Sequence, residues 1–551
     1  MSSEEKNLNF IDRLVKKDLE KGVYKEIHTR FPPEPNGYLH IGSAYAINIS
    51  YSLAKKYNGK FNLRFDDTNP TKEDNEYVKA IMEDMKWLGF DYNKDAPFYG
   101  SDYNEEFYKY AKYLIKKNKA YVCDLSAEEM KEYRGTLTKP GKDSPYRNRS
   151  IEENLELFEK MRNGEFKEGE KVLRAKINMA SPNMNMRDPV IYRISYTNHY
   201  RTKDNWCIYP MYDYAHPIQD YIEGISHSLC SVEFKDHRPL YDWVLKELDL
   251  ENVIPRQIEF GRMNLSGVVT SKRYLKQLVA KNLVEGWDDP RLSTIKGLKR
   301  RGYTKEAILN FLGEIGVAKS ESTVDKSMLE SSIRQDLKDK VPSVMAVLDP
   351  LKVVITNLEE DHIEYLDAEN NKENKDLGSR KIPFTKVIYI EREDFNENPP
   401  KKYNRLVPSG EVRLMNAYFI KCNEVIKDEN NNVIELRCTY DIETKSGSGF
   451  TGRKVKGTIH WISEKFSIPC KVRLYEDLFN ESPDTDSLEE YINQNSLIIK
   501  ENALIEKNIL DFESERFQFI RNGYYVKDEK LYNTENLVFN RIVPLKSSYA
   551  K

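Results

Sequence analysis

The pattern of hydrophobic and polar positions near the N-terminus predicts a strand, a helix and a second strand. Apolar and polar residues alternate through Tyr24–Phe31, and the prolines that follow cannot continue a strand ladder. Apolar residues then recur at helical spacing from Ser43 to Asn58-Gly59, a pair that is typical of a helix end. The segment F-N-L-R-F-D-D alternates again and ends at Asp66 and Asp67. We therefore predict a β-α-β unit.

Further along the chain this strict alternation is lost and then returns. Residues 101–209 mix helical segments with short strands, and we interpret them as an insertion into the first α/β domain. Cys207–Tyr212 and Arg256–Phe260 are strand-like and indicate that the α/β domain resumes. Residues 218–230 between them are interpreted as helix or turn.

The C-terminal part has a different pattern. Residues 274–338 are mostly helical, whereas alternating Val, Ile and Tyr positions from Val341 onward, with Asn/Gly/Asp-rich turns, predict a β-barrel region of about 200 residues. The predicted division is an N-terminal helical arm at 1–25, a split α/β domain at 26–100 and 210–262, an insertion at 101–209, a loop and helical connector at 263–340, and β-barrels at 341–551.

The turn between the first strand and helix is the first candidate site. It spans Thr29–Ser43 and delivers His40 and Gly42 to the helix start. Unpaired N–H groups and the helix dipole make such a helix start a receptor for phosphate, and Gly42 has no side chain to block close approach. By itself an H-x-G tripeptide is more often structural than catalytic.

Composition limits the function classes. A chain of 551 residues is too long for one core, so we expect three or more domains. The net charge of −3 argues against indiscriminate nucleic-acid binding, so any RNA contact must come from local patches. One candidate is Arg291–Lys305, with six basic residues in fifteen positions; a solvated helix face explains that run equally well.

The cysteines and the apolar runs exclude other classes. Six cysteines are scattered without a C-x-x-C pair, so we expect neither a structural zinc site nor a disulfide framework. No run of about 18 apolar residues is present, and the charged N-terminus does not resemble a secretory signal. We therefore expect a cytoplasmic protein without a membrane partner.

A second loop, V-V-T-S-K-R at Val268–Arg273, could bring a cation to a polyphosphate as charge develops in a transition state. Together the two loops resemble the His-Ile-Gly-His and Lys-Met-Ser-Lys-Ser signatures of class I aminoacyl-tRNA synthetases. Longer segments resemble the glutamyl/glutaminyl subfamily, and its glutaminyl-tRNA synthetases in particular, in the same order along the chain from about residue 26 to the C-terminus. These segments are F-P-P-E-P-N-G-Y-L-H-I-G, N-L-R-F-D-D-T-N-P, S-P-N-M-N-M-R-D-P-V-I-Y-R, W-C-I-Y-P-M-Y-D, E-G-I-S-H-S-L-C, Y-D-W-V-L and E-G-W-D-D-P-R-L-S-T-I.

The resemblance implies a multidomain α/β and β protein: a Rossmann-type catalytic domain with an inserted acceptor-end-binding domain, a helical connector and two C-terminal anticodon-binding β-barrels. It implies ATP-dependent activation of glutamine and transfer to tRNA(Gln), with Mg²⁺ accompanying ATP and pyrophosphate, and we expect a monomer. Two signature positions differ from the general pattern. Ser43 stands where a second histidine is usual, and Val269 and Thr270 stand for Lys and Met.

The resemblance also assigns residues. His40, Ser43 and Lys272 are the expected catalytic positions. Expected nucleotide contacts are Glu34, Pro35, Asn36, His40, Ile41, Gly42, Ser43, Ala44, Tyr45, Ala46, Ser231, Arg262, Met263, Thr270, Ser271 and Lys272. Expected anticodon contacts are Lys319, Arg413, Gln518 and Arg521, while Met415 and Ser343 fall where relatives often have arginine.

For the amino acid, Asp66 matches the partner of the α-ammonium group and Tyr212 the hydroxyl that recognises the side-chain amide, with Arg30, Cys230 and Gln257 lining or supporting the pocket. Glutamate-specific relatives tend to have arginine at the position of Cys230. A neutral thiol there favours glutamine, because a buried unpaired carboxylate is costly. From the residues alone, Tyr212 could be core packing, Cys230 an inert thiol and Asp66 a helix cap. The sequence leaves two alternative functions open: the protein is a related enzyme that charges glutamate, or it is an RNA-binding paralogue without catalytic activity.

Overall fold

A computed structural model describes residues 8–71, 74–92, 96–481 and 487–545. The chain divides into two compact units. Unit 1 contains Met1–Leu265 and Leu312–Val324, and unit 2 contains Ser266–Phe311 and Asp325–Lys551. This division is coarser than the five-part division made from the sequence, whose boundaries stay a prediction.

Unit 1 combines α/β and antiparallel parts. Its helices are α1 (Phe10–Glu20), α2 (Ile41–Lys56), α3 (Asn75–Leu88), α4 (Asn104–Lys116), α5 (Ala127–Arg134), α6 (Ile151–Arg162), α7 (Tyr212–Ile222) and α8 (Arg238–Glu247). Its strands are β1 (His28–Phe31), β2 (Lys60–Phe65), β3 (Phe98–Tyr99), β4 (Ala120–Cys123), β5 (Val172–Ala175), β6 (Val190–Ile194), β7 (Ile208–Pro210), β8 (His227–Ser231), β9 (Arg256–Phe260), β10 (Met263–Leu265) and β11 (Ser322–Val324).

The predicted β-α-β unit is confirmed as β1-α2-β2. β1 and β2 are parallel with His28 opposite Lys60, and β3 pairs in parallel with the other edge of β2. The parallel pair β8-β9 adjoins β1, where the Ser226 N–H donates to the carbonyl oxygen of His28 at 2.9 Å. The three-stranded sheet β3-β2-β1 therefore has the parallel pair β8-β9 next to β1, so the order of the strands along the chain changes at β1, as it does in doubly wound nucleotide-binding sheets.

Two interpretations of the region between these strands were wrong. Cys207–Tyr212 does not resume the parallel sheet, because β7 pairs antiparallel with β6 in the four-stranded sheet β4-β5-β6-β7. Residues 218–230 are not only helix and turn, since they end in most of β8. The sequence H-S-L-C-S of β8 hides this strand because His227 and Ser228 are fully buried polar residues.

Unit 2 is mainly β. Its helices are α9 (Lys272–Ala280), α10 (Ile295–Arg301), α11 (Lys305–Ile315, of which the last turn belongs to unit 1), α12 (Lys326–Leu337) and α13 (Leu488–Tyr491). Its strands are β12 (Ser343–Val344), β13 (Ala346–Val347), β14 (Pro350–Ile355), β15 (Ile363–Glu369), β16 (Ser379–Thr385), β17 (Val387–Glu391), β18 (Glu411–Leu414), β19 (Phe419–Lys427), β20 (Val433–Asp441), β21 (Thr458–Ile459), β22 (Trp461–Ser463), β23 (Ser467–Tyr475), β24 (Leu497–Glu506), β25 (Arg516–Phe519), β26 (Gly523–Lys527) and β27 (Val538–Pro544).

Two seven-stranded mixed sheets dominate unit 2. One has the order β21-β18-β19-β20-β14-β17-β22, and its edge strands are separated only by His460. The other has the order β12-β25-β26-β27-β23-β24-β13, and its edge strands are separated only by Met345. Each sheet therefore curls back toward its own first edge, in the manner of a barrel. Residues 381–391 and 411–425 alternate in the sequence as if each were one strand, but each contains parts of two strands, which are separated at Lys386 and around Asn416.

Candidate active site

Several predicted site residues of unit 1 lie at the carboxyl ends of neighbouring parallel strands. Arg30 is near the end of β1, Asp66 follows β2, and Cys230 is near the end of β8. Because the strand order changes between β2-β1 and β8-β9, this edge corresponds to the position at which open α/β sheets bind ligands.

His40 is the N-cap of α2, and its ring binds the helix start. Its Nδ1 accepts hydrogen bonds from the backbone N–H groups of Gly42 at 3.1 Å and Ser43 at 3.3 Å. In a neutral imidazole one nitrogen accepts and the other carries the proton, so the proton is on Nε2. The expectation of a helix start with unpaired N–H groups is thus wrong for Gly42 and Ser43, whose N–H groups both bind the His40 ring.

Gly42 and Ser43 complete this cap. A Cβ atom at position 42 would lie 3.0 Å from Cε1 and 3.1 Å from Nδ1 of His40, so any larger residue there would push the ring away by a few tenths of an ångström. The Ser43 hydroxyl accepts from the His40 N–H at 3.4 Å, which makes a reciprocal capping box. Ser43 thereby replaces the usual histidine with a residue that stabilises the backbone of His40.

The two aspartates after β2 have different roles. Asp67 is fully buried, and its carboxylate accepts from the N–H and the hydroxyl of Ser101, both at 2.7 Å, so it anchors the chain. Asp66 is held more loosely, by the Thr68 hydroxyl at 3.0 Å. Burial, followed by the nearby charge of Glu34, raises the pKa of Asp66 to about 6. Its carboxylate is therefore destabilised and would gain from a cationic ligand.

Tyr212 is the first residue of α7 and lies in a group of aromatic rings. Its ring stacks on His216 with centroids 4.7 Å apart and contacts Phe234 at 5.3 Å. Burial raises its pKa well above the usual value, while the charge of Arg30 lowers it and the carboxylate of Asp66 raises it. The Tyr212 hydroxyl therefore lies close enough to Arg30 and Asp66 to be affected by their charges. A tyrosine that only packs in the core would not need such neighbours.

Cys230 is neutral under ordinary conditions. Burial raises the pKa of its thiol to about 12, even though Arg30 acts in the opposite direction. Arg30 does not offer a spare charge either, because its buried guanidinium binds Asp220 with Nε–Oδ1 at 2.9 Å. Gln257, on β9, donates to Glu259 of the same strand at 3.0 Å. The side-chain end of the pocket thus combines a phenol, a thiol and a compensated cation.

Sequence reasoning missed Glu233, which joins two predicted nucleotide contacts. The Ser231 hydroxyl donates to Glu233 Oε1 at 2.8 Å, and Arg262 donates to Oε2 at 3.0 Å. No motif signals this residue, because its role arises only when β8 and the segment before β10 come together.

The remaining predicted nucleotide contacts of unit 1 differ in what they can offer. Glu34 and Asn36 are joined by a side-chain hydrogen bond, with Pro35 between them. The other members of the predicted set differ in their exposure. The buried members of the predicted set are Pro35, Ile41, Ala44, Tyr45 and Met263, whereas Ala46 is half-buried.

The Ser-Lys loop belongs to unit 2. Ser271 is the N-cap residue of α9, which begins at Lys272, so the lysine lies in the first turn of a helix. The Ser293 hydroxyl donates to the carbonyl oxygen of Val269 at 2.7 Å and holds the loop just before Thr270. This anchor comes from the S-T-I segment that was noted in the sequence only for its resemblance.

The predicted RNA contacts are not together in one unit. Lys319 belongs to unit 1, where its Nζ lies 5.2 Å from the Phe10 ring centroid, whereas the other three are in unit 2. Arg413 donates to the carbonyl oxygen of Thr444 at 3.0 Å. Gln518 accepts from the Ser343 hydroxyl at 2.7 Å, and Arg521 holds Asp394 with two hydrogen bonds of 2.6 and 2.7 Å. Each therefore has a structural role besides any RNA contact.

The basic run Arg291–Lys305 is not simply a solvated face. Arg291 binds Asp289 at 2.7 Å, and Arg300 binds Glu285 at 3.0 Å and Asp528 at 3.2 Å. These arginines stabilise unit 2 internally, which reduces the charge left for RNA.

Two structural surveys concern metals and membranes. Within the described ranges, no group of three or more His, Cys, Asp or Glu side chains is arranged to hold a metal ion. In the same part of the chain, none of the helices combines the length and apolar character needed to cross a bilayer.

Comparison with protein families gives three matches in chain order. Residues 26–339 match the model described as tRNA synthetases class I (E and Q), catalytic domain. Residues 341–441 and 458–528 match two models described as tRNA synthetases class I (E and Q), anti-codon binding domain.

Individual proteins are similar over the whole length. The glutamine–tRNA ligase of Clostridioides difficile (strain 630) is 59% identical over 553 residues, which covers 100% of this chain and 99% of the relative. The glutamine–tRNA ligase of Haemophilus influenzae (strain 86-028NP) is 53% identical, covering 98% and 97%. A solved glutamate–tRNA synthetase from Elizabethkingia anophelis aligns at 18% identity over 57% of this chain and 71% of that chain, with a TM-score of 0.42, a likeness that carries no argument.

Proposed function

The chain belongs to the class I tRNA synthetases for glutamate and glutamine, and we propose that within this family it is a glutamine–tRNA ligase. It activates L-glutamine with ATP and transfers it to the 3′-terminal ribose of tRNA(Gln). The structural observation that carries this choice is the neutral Cys230 thiol near Tyr212, because the cation at this end of the pocket, Arg30, is already paired with Asp220 and leaves a glutamate side chain without a partner.

In the first step the glutamine carboxylate attacks the α-phosphorus of ATP and pyrophosphate leaves. No covalent bond to the protein is needed, so catalysis consists of positioning and charge stabilisation. His40 contributes its Nε2–H, which donates to a phosphate oxygen. The capping box with Ser43 supports this role, because it fixes the ring by its other nitrogen.

Lys272 supplies the second positive group, at the start of α9. Its ammonium stabilises the charge that develops on the phosphates, helped by the helix dipole. Thr270 and Ser271 place the loop against the nucleotide. ATP enters as its magnesium complex, and its phosphates are the main ligands of that ion.

Asp66 binds the α-ammonium group of glutamine, and Tyr212 hydrogen-bonds its side-chain amide. The raised pKa of Asp66 supports this assignment, since an ammonium ion would relieve the cost of a buried carboxylate. Arg30 and Gln257 support the pocket from behind through Asp220 and Glu259.

For the tRNA, residues 101–209 bind the acceptor end, residues 263–340 connect the domains, and the two barrel-like sheets bind the anticodon through Arg413, Gln518 and Arg521, with Lys319 assisting. The match of residues 341–441 and 458–528 to anticodon-binding domains supports this division. The enzyme acts as a monomer in the cytoplasm.

Charging of tRNA(Gln) with radiolabelled glutamine or glutamate tests the proposal. We expect glutamine to be charged with a much higher kcat/KM. Comparable charging of glutamate would instead identify a glutamate-accepting enzyme. Tight tRNA binding without charging of either amino acid would identify an RNA-binding paralogue.

A further inference from the structure

Asp220, on α7, joins four side chains behind the predicted glutamine pocket. Its Oδ1 accepts from Arg30 Nε at 2.9 Å and from an Arg64 nitrogen at 2.6 Å. Its Oδ2 accepts from the hydroxyls of Ser228 at 2.7 Å and Tyr241 at 2.9 Å. The Asp220 side chain is completely buried. Although burial opposes ionisation, the two arginines hold its pKa far below the usual range, so it is an anion.

The buried charges around Asp220 balance. Arg64 also binds Glu223 at 2.8 Å, and the side chain of Glu223 is almost completely buried. The cluster therefore contains two cations, Arg30 and Arg64, and two anions, Asp220 and Glu223. Asp220 accepts hydrogen bonds from both arginines, whereas Glu223 accepts them from Arg64. Removing either anion would leave a buried positive charge, which is costly until another anion compensates it.

Arg30 connects this cluster to the pocket. Its NH1 donates to the carbonyl oxygen of Leu229 at 2.7 Å, next to Cys230, and its NH2 donates to the Ser228 hydroxyl at 2.7 Å. The same NH2 contacts Nε2 of His216, whose ring stacks on Tyr212. Since a guanidinium can only donate, His216 accepts and is neutral, and burial likewise lowers its pKa well below the usual value.

We propose, resting on the function proposed above, that Asp220 is a positioning residue that selects glutamine over glutamate by neutralising and immobilising Arg30. With Asp220 in place, a glutamate side chain would add an unpaired anion to a balanced cluster. Without its charge, Arg30 keeps a net positive charge next to Cys230 and Tyr212, and a substrate carboxylate restores the balance. Selectivity then comes from an unfavourable interaction with the wrong substrate.

The test compares Asp220→Asn with Glu223→Gln in charging assays of the full-length enzyme. Both variants remove one buried negative charge and keep the side-chain shape, but only Asp220 contacts Arg30. In Asp220→Asn we expect the glutamine-to-glutamate ratio of kcat/KM to fall about tenfold or more, mainly through a lower KM for glutamate. In Glu223→Gln both substrates should lose activity together, with the ratio within about twofold of wild type. An unchanged ratio in Asp220→Asn, or an equal change in both variants, overturns the proposal.

A second variant covers the case in which Asp220→Asn does not fold. Ser228→Ala removes the hydroxyl that bridges Arg30 and Asp220 without changing the charge. It should lower the ratio in the same direction by about two- to fivefold, and an unchanged ratio again overturns the role of Asp220. If the wild-type enzyme prefers glutamate, the proposed function is wrong. If the wild type prefers glutamine and Asp220→Asn and Ser228→Ala prefer it equally strongly, only this inference is wrong.

Discussion

The imidazole Nδ1 of His40 accepts a hydrogen bond from the backbone N–H of Gly42 at 3.1 Å, and the same ring fills the space that a Cβ at position 42 would need. We predict that Gly42→Ala displaces the ring and moves its Nε2–H away from the phosphates. Charging should fall by on the order of 10- to 100-fold, as for the loss of one oriented donor. Thermal unfolding should change little, because alanine favours the helix by about 1 kcal/mol and offsets the clash.

Gly313→Ala is the matched control for this change. Gly313 is also in a helix, α11, and a Cβ there meets nothing within 4 Å. It should stabilise the protein slightly and leave charging intact. Equal losses of charging in both variants would mean that replacing a helical glycine by alanine lowers activity by itself, without any displacement of the His40 ring.

Asp66 makes both stability and activity depend on pH. Its pKa rises from 3.8 to about 6 on folding. Between these values the folded state binds more protons than the unfolded state, so the free energy of unfolding falls as pH rises through this window and stays low above it. Asp66→Asn removes the cost and should raise stability above pH 6 by up to about 3 kcal/mol, while having little effect below pH 4.

The same substitution should impair the reaction. If Asp66 binds the α-ammonium group, kcat/KM for glutamine in the wild type should decline as pH falls below about 6, and Asp66→Asn should be poorly active at every pH. Chemical denaturation at pH 5 and pH 8 together with a pH profile of charging separates the two effects. If Asp66→Asn is neither more stable at pH 8 nor less active, then the ionised Asp66 carboxylate does not destabilise the fold and does not bind the α-ammonium group.

Local patterns predict the parts of the fold that depend on near neighbours. Alternation and the prolines after β1 predict the β-α-β unit because those signals act within a few residues. They do not predict β8, because the buried His227 is compatible with a core only when both ring nitrogens have partners, and the partner of Nε2 is Asp18, 209 positions earlier, at 3.3 Å. A buried polar strand is visible only when such a distant partner is known.

The candidate site divides in the same way. The resemblance singles out His40, Asp66 and Cys230, whose residue types themselves suggest a chemistry. It does not reveal Asp220 or Glu233, since an aspartate on a helix and a glutamate after a strand carry no local signal. Their roles depend on side chains from several strands meeting at one end of the sheet.

Arg521 and Asp394 allow RNA binding to be separated from structural support. Asp394 is fully buried and is held by Arg521 with two hydrogen bonds and by Arg405 at 3.2 Å. Asp394→Asn should destabilise unit 2 by about 3 kcal/mol, because it removes the buried negative charge that pairs with the half-buried Arg521. Arg521→Lys cannot make the paired contact and should also lower the melting temperature.

The KM for tRNA distinguishes the two roles of Arg521. Both variants are assayed well below their melting temperatures. If Arg521 also contacts the anticodon, Arg521→Lys should raise the KM for tRNA by more than Asp394→Asn does. Equal effects on the KM would indicate that Arg521 acts only through the stability of unit 2.

Lys272 offers the most direct test of the Ser-Lys loop. Its ammonium lies in the first turn of α9, and Ser293 anchors the preceding loop. Lys272→Ala should reduce charging by on the order of 10²-fold or more if this cation stabilises the transition state. The loss should appear in kcat with little change in the KM for glutamine, because the interaction forms mainly as charge develops. Lys276→Ala, one turn further along the same helix, removes an equal charge and should retain near-normal activity. Full activity in Lys272→Ala, or an equal loss in Lys276→Ala, would contradict the assigned role.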